Sequence, residues 1–149
     1  MENGLSRKER ERLLRREGIL EAAKAVFAER GYTKATLEEI ANRAEFGKGT
    51  LYNYFPDGKE QLLIAIFDQL YDGLRELIII SFSPAGTLPF RDVMEDFIER
   101  CFDFFSERAN LFLTLVKEAQ RLIFSDDEER ARYFTEKQSL VMETLASPL

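Results

Sequence analysis

The 149-residue sequence predicts an all-α chain, with a small three-helix head at the N-terminus joined through a long fourth helix to a larger helical body. Three observations carry that prediction. Apolar residues recur at spacings of 3, 4 and 7, without the sustained alternation a strand needs and without an internal repeat. Gly31, the Pro56-Asp57-Gly58 run and the Ser81–Pro89 stretch, with two prolines and a glycine, cut the pattern into helix-length pieces. Of the 13 phenylalanines, 10 fall after residue 60, which suits a packed helical body behind a lighter head. The expected division is a head of residues 1–60 with a basic N-terminal arm, and a body of residues 61–149.

The first helix is expected to start near Ser6 or within the arm and to end at Arg30, with Ile19, Ala22, Ala23, Val26 and Phe27 facing inward and Gly31 stopping it. Thr36 and Glu39 form a T-x-x-E capping box, in which hydroxyl and carboxylate reciprocally satisfy backbone N–H groups at a helix start. Leu37, Ile40, Ala41 and Ala44 then give a short helix one buried face. Gly47 supplies the loop before a third helix, on which Leu51 and Phe55, four apart, turn inward as anchors. The fourth helix carries Leu62, Leu63, Ile66, Leu70, Leu74 and Leu77 along one face, and from Lys59 to Ile80 it spans roughly 30 Å. Beyond Pro89, a helix over Phe90–Glu107 offers Val93, Phe97, Ile98, Cys101, Phe102, Phe104 and Phe105. The next, Asn110–Phe124, offers Leu111, Phe112, Leu115, Val116, Ala119, Leu122 and Ile123. Ser125 to Glu128 read as the cap and acidic first turn of a last helix reaching Ala146, with Tyr133, Phe134, Leu140, Val141 and Leu145 inward.

Two short helices joined by a tight turn, the second rich in donors, form a helix-turn-helix, whose second helix enters the major groove of DNA. On that helix Lys48 can meet guanine acceptors, Asn53 can pair with adenine, and Gly49 lets the backbone come close; these three are expected to read bases. Thr36, Thr50, Tyr52, Tyr54 and Lys59 offer hydroxyls or charge for phosphate oxygens, which position a protein without specifying sequence. Arg7, Lys8, Arg10, Arg12, Arg15 and Arg16 concentrate positive charge in the arm, suited to a flanking DNA backbone.

The run KGTLYNYF followed by KEQLL resembles the signature of the TetR family of bacterial repressors, with Ile19, Ala22, Ala23, Phe27, Gly31, Tyr32, Thr36, Ile40 and Ala41 at matching upstream positions. The resemblance covers residues 15–67. It implies a DNA-binding homodimer on a palindromic double-stranded operator, released by a small-molecule effector bound in the body. It also implies an apolar or aromatic guest in a pocket lined by Phe97, Cys101, Phe105, Phe112, Leu115 and Tyr133. The acids Glu95, Asp96, Glu99 and Asp103 would suit a cationic compound, or simply a solvated face. Two positions depart from the family pattern. Glu45 stands where members carry glycine after the second helix, a turn that Gly47 is expected to take over, and Pro56-Asp57-Gly58 lengthens the following loop by one residue. Members usually run longer, so the helices that commonly build the dimer interface are expected to be short or absent after Ser147, Pro148 and Leu149.

The formal net charge is −6, but it is uneven: residues 1–60 hold 12 Lys and Arg against 11 Asp and Glu, and the remainder 9 against 16, about +1 and −7. With no histidine and a single cysteine, disulfide scaffolds, Cys/His zinc sites and Ser-His-Asp or Cys-His catalysis are excluded, and neither an enzyme nor a cofactor is expected. Cys101, set among phenylalanines, is expected as a small buried hydrophobe. The longest apolar stretch, Leu77–Ile80, is far too short to span a membrane, so a cytoplasmic protein is expected. The competing class is a helical protein-interaction module whose head has kept its shape and lost its affinity for DNA, which Glu45 and the overall acidity would favour.

Overall fold

The computed structural model describes residues 4–83 and 86–147. Among them are seven helices: α1 (Arg7–Arg30), α2 (Leu37–Arg43), α3 (Lys48–Tyr54), α4 (Lys59–Phe82), α5 (Phe90–Ser106), α6 (Ala109–Ile123) and α7 (Glu128–Ala146). The chain forms two compact units, Met1–Ile66 and Phe67–Leu149, with the boundary inside α4.

The first unit is built around α1. Ser6 opens that helix with a complete capping box, its hydroxyl accepting from the Glu9 N–H and the Glu9 carboxylate accepting from the Ser6 N–H. Gly31 closes it at φ 74°, a left-handed backbone that suits glycine. Between them the chain buries Ile19, Leu20, Ala23 and Phe27 completely, against Ile40, Leu51, Phe55, Leu62 and Leu63, all at 0% exposure. Thr36 and Glu39 cap α2 as the sequence requires. A bidentate bridge from Arg43 to Glu29, at 2.6 and 2.8 Å, ties α2 to α1 and holds the Glu29 carboxyl below its ordinary range.

The turn between α2 and α3 corrects one expectation. Glu45 itself takes the left-handed conformation at φ 60°, while Gly47 has extended backbone (φ −69°, ψ 152°) and serves as the N-cap of α3. The hydrogen bonds explain why the left-handed residue falls there. Glu45 N–H donates to Asn42 O at 3.1 Å and Phe46 N–H to Ala41 O at 2.9 Å, the paired closure of a Schellman motif, whose geometry demands positive φ at the residue after the cap. Gly47 lies one residue beyond that closure and cannot substitute.

The second unit packs the remainder of α4 with α5, α6 and α7. Phe67, Leu77, Ile78, Val93, Leu111, Leu115, Leu122 and Phe134 are its buried apolar residues. Phe67 and Phe134 meet edge to face at 5.0 Å. Gly73, in mid-helix, makes room for Phe104: a β-carbon there would lie 3.0 Å from the ring. Helix ends shift slightly from expectation. α4 continues through Ser81 and Phe82, and Asp127, not Ser125, caps α7 by accepting from the N–H groups of Glu129 and Arg130. Within the expected loop Ser81–Pro89, Pro84 and Ala85 lie outside the described residues, as do Pro148 and Leu149.

The inward stripes of the body are narrower than the sequence suggests. On α5 only Val93 is buried, with Ile98 and Phe102 59% and 71% exposed. On α6, Leu111, Leu115 and Leu122 go inside while Val116 and Ile123 do not, and Glu118 is buried instead, its carboxylate accepting from Arg121 at 2.6 Å. A helix buries one stripe of roughly 100° against one neighbour; Ile98, Phe102, Val116 and Ile123 fall outside that stripe and are exposed.

Candidate nucleic-acid interface

α3 is anchored from beneath by Leu51 and Phe55, both at 0% exposure, so its remaining positions point outward. Lys48, Gly49, Tyr52 and Asn53 are exposed, and Thr50 and Tyr54 half-buried. Among the described residues the side chains of Lys48, Thr50, Tyr52 and Asn53 make no hydrogen bond or ion pair. Gly49 has no packing reason to be glycine: a β-carbon there would meet nothing within 4 Å. The space it leaves open is outside the protein.

The other two residues expected at phosphates are used inside the head. Thr36 Oγ1 accepts from Glu39 N–H at 3.2 Å as the α2 cap. The Lys59 ammonium donates to the carbonyls of Tyr32 at 2.8 Å, Ala35 at 3.2 Å and Thr33 at 3.4 Å, and lies 4.5 Å from the Tyr32 ring centroid. Three donors meeting three carbonyls spend its charge on the loop between α1 and α2. The extra residue in the Pro56-Asp57-Gly58 loop is accommodated by Gly58 at φ 72°.

Sequence reasoning did not place the arm relative to α3. In the structure the arm is helical, and Lys8, Glu11, Arg12 and Arg15 of α1 face Thr50, Asn53 and Tyr54 of α3 across a cleft of about 600 Å³. The Arg12 guanidinium lies 5.7 Å from the Tyr54 ring centroid, and that of Arg16 lies 5.1 Å from the Phe55 ring centroid. Such cation–π contacts contribute about 0.5–1 kcal/mol each at exposed positions. The available signal was spacing: Lys8, Arg12 and Arg15 stand 4 and 7 apart, on one helix face.

The six residues expected around an effector divide into separate contacts. Phe105 and Phe112 meet at 4.6 Å between ring centroids, Phe97 pairs with Phe82 at 5.2 Å, and Tyr133 with Phe134 at 5.1 Å. Leu115 is buried in the body core. Cys101 is half-buried rather than buried, and desolvation pushes its thiol up. The Tyr133 hydroxyl donates to Asp68 Oδ1 at 2.7 Å, and burial foremost, then Asp68, pushes its pKa upward, so it remains a donor. None of the six lines a cleft of about 470 Å³ in the body, which lies between Arg75, Ile79 and Phe82 of α4 and Leu140, Glu143 and Thr144 of α7. Of the four acids on α5, Glu95 and Asp96 pair with Arg91 and Arg100 of their own helix at 2.9 and 2.6 Å. Among the described residues no group of three or more His, Cys, Asp or Glu is placed to hold a metal ion, and no helix is long and apolar enough to cross a membrane.

Residues 19–66, which span the end of the arm helix through the start of α4, match the family model for bacterial regulatory proteins of the tetR family. The transcriptional activator FasR of Mycolicibacterium smegmatis is 33% identical over 128 residues, covering 83% of this chain and 49% of FasR. The transcriptional repressor KstR2 of Rhodococcus jostii is 35% identical over 78 residues, covering 50% of this chain and 38% of KstR2. The chain spans less than half the length of the curated relatives it matches. Among solved structures, the TetR-family regulator PfmR of Thermus thermophilus shares the fold with a TM-score of 0.68 at 23% identity, over 87% of this chain and 67% of that one. A capped α2–turn–α3 unit inside the matched segment and these relatives agree: residues 19–66 belong to the tetR family of bacterial regulatory proteins, and the chain shares the all-helical fold of PfmR.

Proposed function

We propose that the chain is a sequence-specific DNA-binding transcriptional regulator, acting in the cytoplasm as a homodimer that sets α3 of each copy into the major groove of a palindromic operator. One observation carries this: α3 is held by two buried anchors while the polar side chains of Lys48, Tyr52 and Asn53 are exposed and have no partner among the described residues. Polar groups that the protein does not use are available to bases. Lys48 and Asn53 read base edges and Gly49 admits close approach, while Thr50, Tyr52 and Tyr54 grip phosphate oxygens. Thr36 and Lys59 set the angle of the α2–turn–α3 unit from inside the head.

The names of the relatives include both an activator and a repressor. The form proposed for this chain is a repressor released by a small apolar or aromatic effector, for which the Phe105–Phe112 pair gives an aromatic wall in the body. Release follows if the effector prefers a body conformation incompatible with half-site spacing of about 34–36 Å. Selection of bound fragments from random duplexes tests the reading. Enrichment of a palindrome, with affinity falling steeply as salt rises, supports it; absence of enrichment and of salt dependence favours the interaction module instead.

A further inference from the structure

We infer that the N-terminal half of α1 is a second DNA-gripping rod: its Lys8–Arg12–Arg15 face and the Thr50–Asn53–Tyr54 face of α3 close on one phosphate strand of the duplex from both sides. The inference rests on the regulator reading and adds to it a site on α1.

The first buried residue of α1 is Ile19, so residues 7–18 form about 18 Å of helix that packs into no core. So short a helix is marginal alone, but this one continues a packed helix and is closed by the Ser6–Glu9 box. The arm is therefore a preformed rod rather than a flexible tail. Its cations divide by what they touch. The Arg7 guanidinium pairs with Glu11 at 3.0 Å, Arg10 donates to the Leu5 carbonyl at 3.3 Å, and Arg16 lies over Phe55. Lys8, Arg12 and Arg15 have no ion pair among the described residues, and all three line the cleft.

The opposite wall has matching chemistry. Thr50, Asn53 and Tyr54 bring two hydroxyls and an amide and no carboxylate; the acid in the cleft, Glu11, is held by Arg7. Donors on both sides with three unspent cations call for an anion with oxygens facing two ways, which a phosphodiester provides. The Arg12–Tyr54 stack brings a guanidinium and a phenol to the same point before any ligand arrives. On α3 itself the polar residues form two stripes, Lys48 and Tyr52 on one and Thr50 and Tyr54 on the other, each four apart. Asn53 lies at the seam, four after Gly49 and three after Thr50. A strand held in the cleft therefore sits at the edge of the groove that Lys48 and Asn53 enter.

The test is duplex affinity of the chain, by fluorescence anisotropy on the selected operator and on mismatched operators, across a salt series. The Arg12→Ala/Arg15→Ala variant keeps good helix formers, and its helicity by circular dichroism should match the wild type. Its log-affinity against log-salt slope should shrink by about 3.6, two cations from each copy of the dimer, so that raising salt from 50 to 200 mM costs it on the order of a hundredfold less affinity than it costs the wild type. The ranking of operators should not change, and Arg10→Ala, on the opposite face, should keep the wild-type slope. A wild-type slope in the double variant, or a changed operator ranking, overturns the clamp while leaving α3 as the reader. A wild-type chain with no duplex affinity overturns the regulator reading and the clamp together.

Discussion

Replacing Glu45 by glycine should stabilise the head. Glu45 holds φ 60° because the Schellman closure by Phe46 N–H on Ala41 O requires it there, and a side chain in that region costs about 1–2 kcal/mol through contact of its β-carbon with the following carbonyl. Glycine removes that contact but adds freedom to the unfolded chain, which takes back about 0.4–1 kcal/mol. The net expectation is a gain of roughly 0.5–1 kcal/mol, a midpoint rise of about 1–4 °C for a chain of this size. Urea unfolding at fixed pH measures it, with Glu45→Ala as the control. Alanine keeps the β-carbon and removes the carboxylate, so the difference between the two variants isolates the backbone, while their common change reports the charge. Glu45→Gly should exceed Glu45→Ala in stability, and the two should gain the same duplex affinity from loss of an anion near phosphates. Equal stability of the two variants would refute the strain argument.

Gly49→Ala should separate fold from function: alanine in the exposed first turn of α3 adds at most about 1 kcal/mol of stability, yet duplex affinity should fall because the open space at Gly49 is filled. A stabilised variant with unchanged affinity would remove the close-approach role. Asn53→Ala should relax preference at one base step by about 1–3 kcal/mol, whereas Tyr52→Phe should weaken all operators alike, and equal losses across operators for Asn53 would count against base reading. Lys59→Met removes three hydrogen bonds to carbonyls and should lower head stability by about 1.5–3 kcal/mol without altering the salt slope of DNA binding. In the body, Ser81 Oγ is buried with no hydrogen-bond partner, so Ser81→Ala should be neutral or stabilising by about 1 kcal/mol in thermal unfolding.

The head was more legible than the body, and the reason is local. Capping boxes at Thr36–Glu39 and the stop at Gly31 are decided within a few residues, and the anchors Leu51 and Phe55 lie four apart on one short helix. The carbonyls around Lys59 were not legible because its partners, Tyr32 to Ala35, stand more than twenty residues away, and sequence shows a cation without showing which carbonyls converge on it. Glu45 marks the same limit from the other side. The residue type argued against positive φ, but the hydrogen bonds from Phe46 and Glu45 back into α2 outweigh a strain of about 1 kcal/mol.

In the body the difficulty is one of excess. Ten phenylalanines and many leucines satisfy a helical period on almost any face, so α5 could not be told from its sequence to bury Val93 and leave Phe102 and Ile98 outside. Which stripe is buried depends on which helix lies opposite, a fact of tertiary pairing that periodicity does not encode. The same excess hid which aromatic rings pair: Phe105 meets Phe112, Phe97 turns to Phe82, and the Tyr133 hydroxyl donates to Asp68. Conversely, the cleft of α1 and α3 was implicit in three cations at one-face spacing on a helix expected to start near Ser6, and became visible only when the fold set that face opposite α3. Charge marks a candidate surface; only the conformation that carries it determines what that surface can enclose.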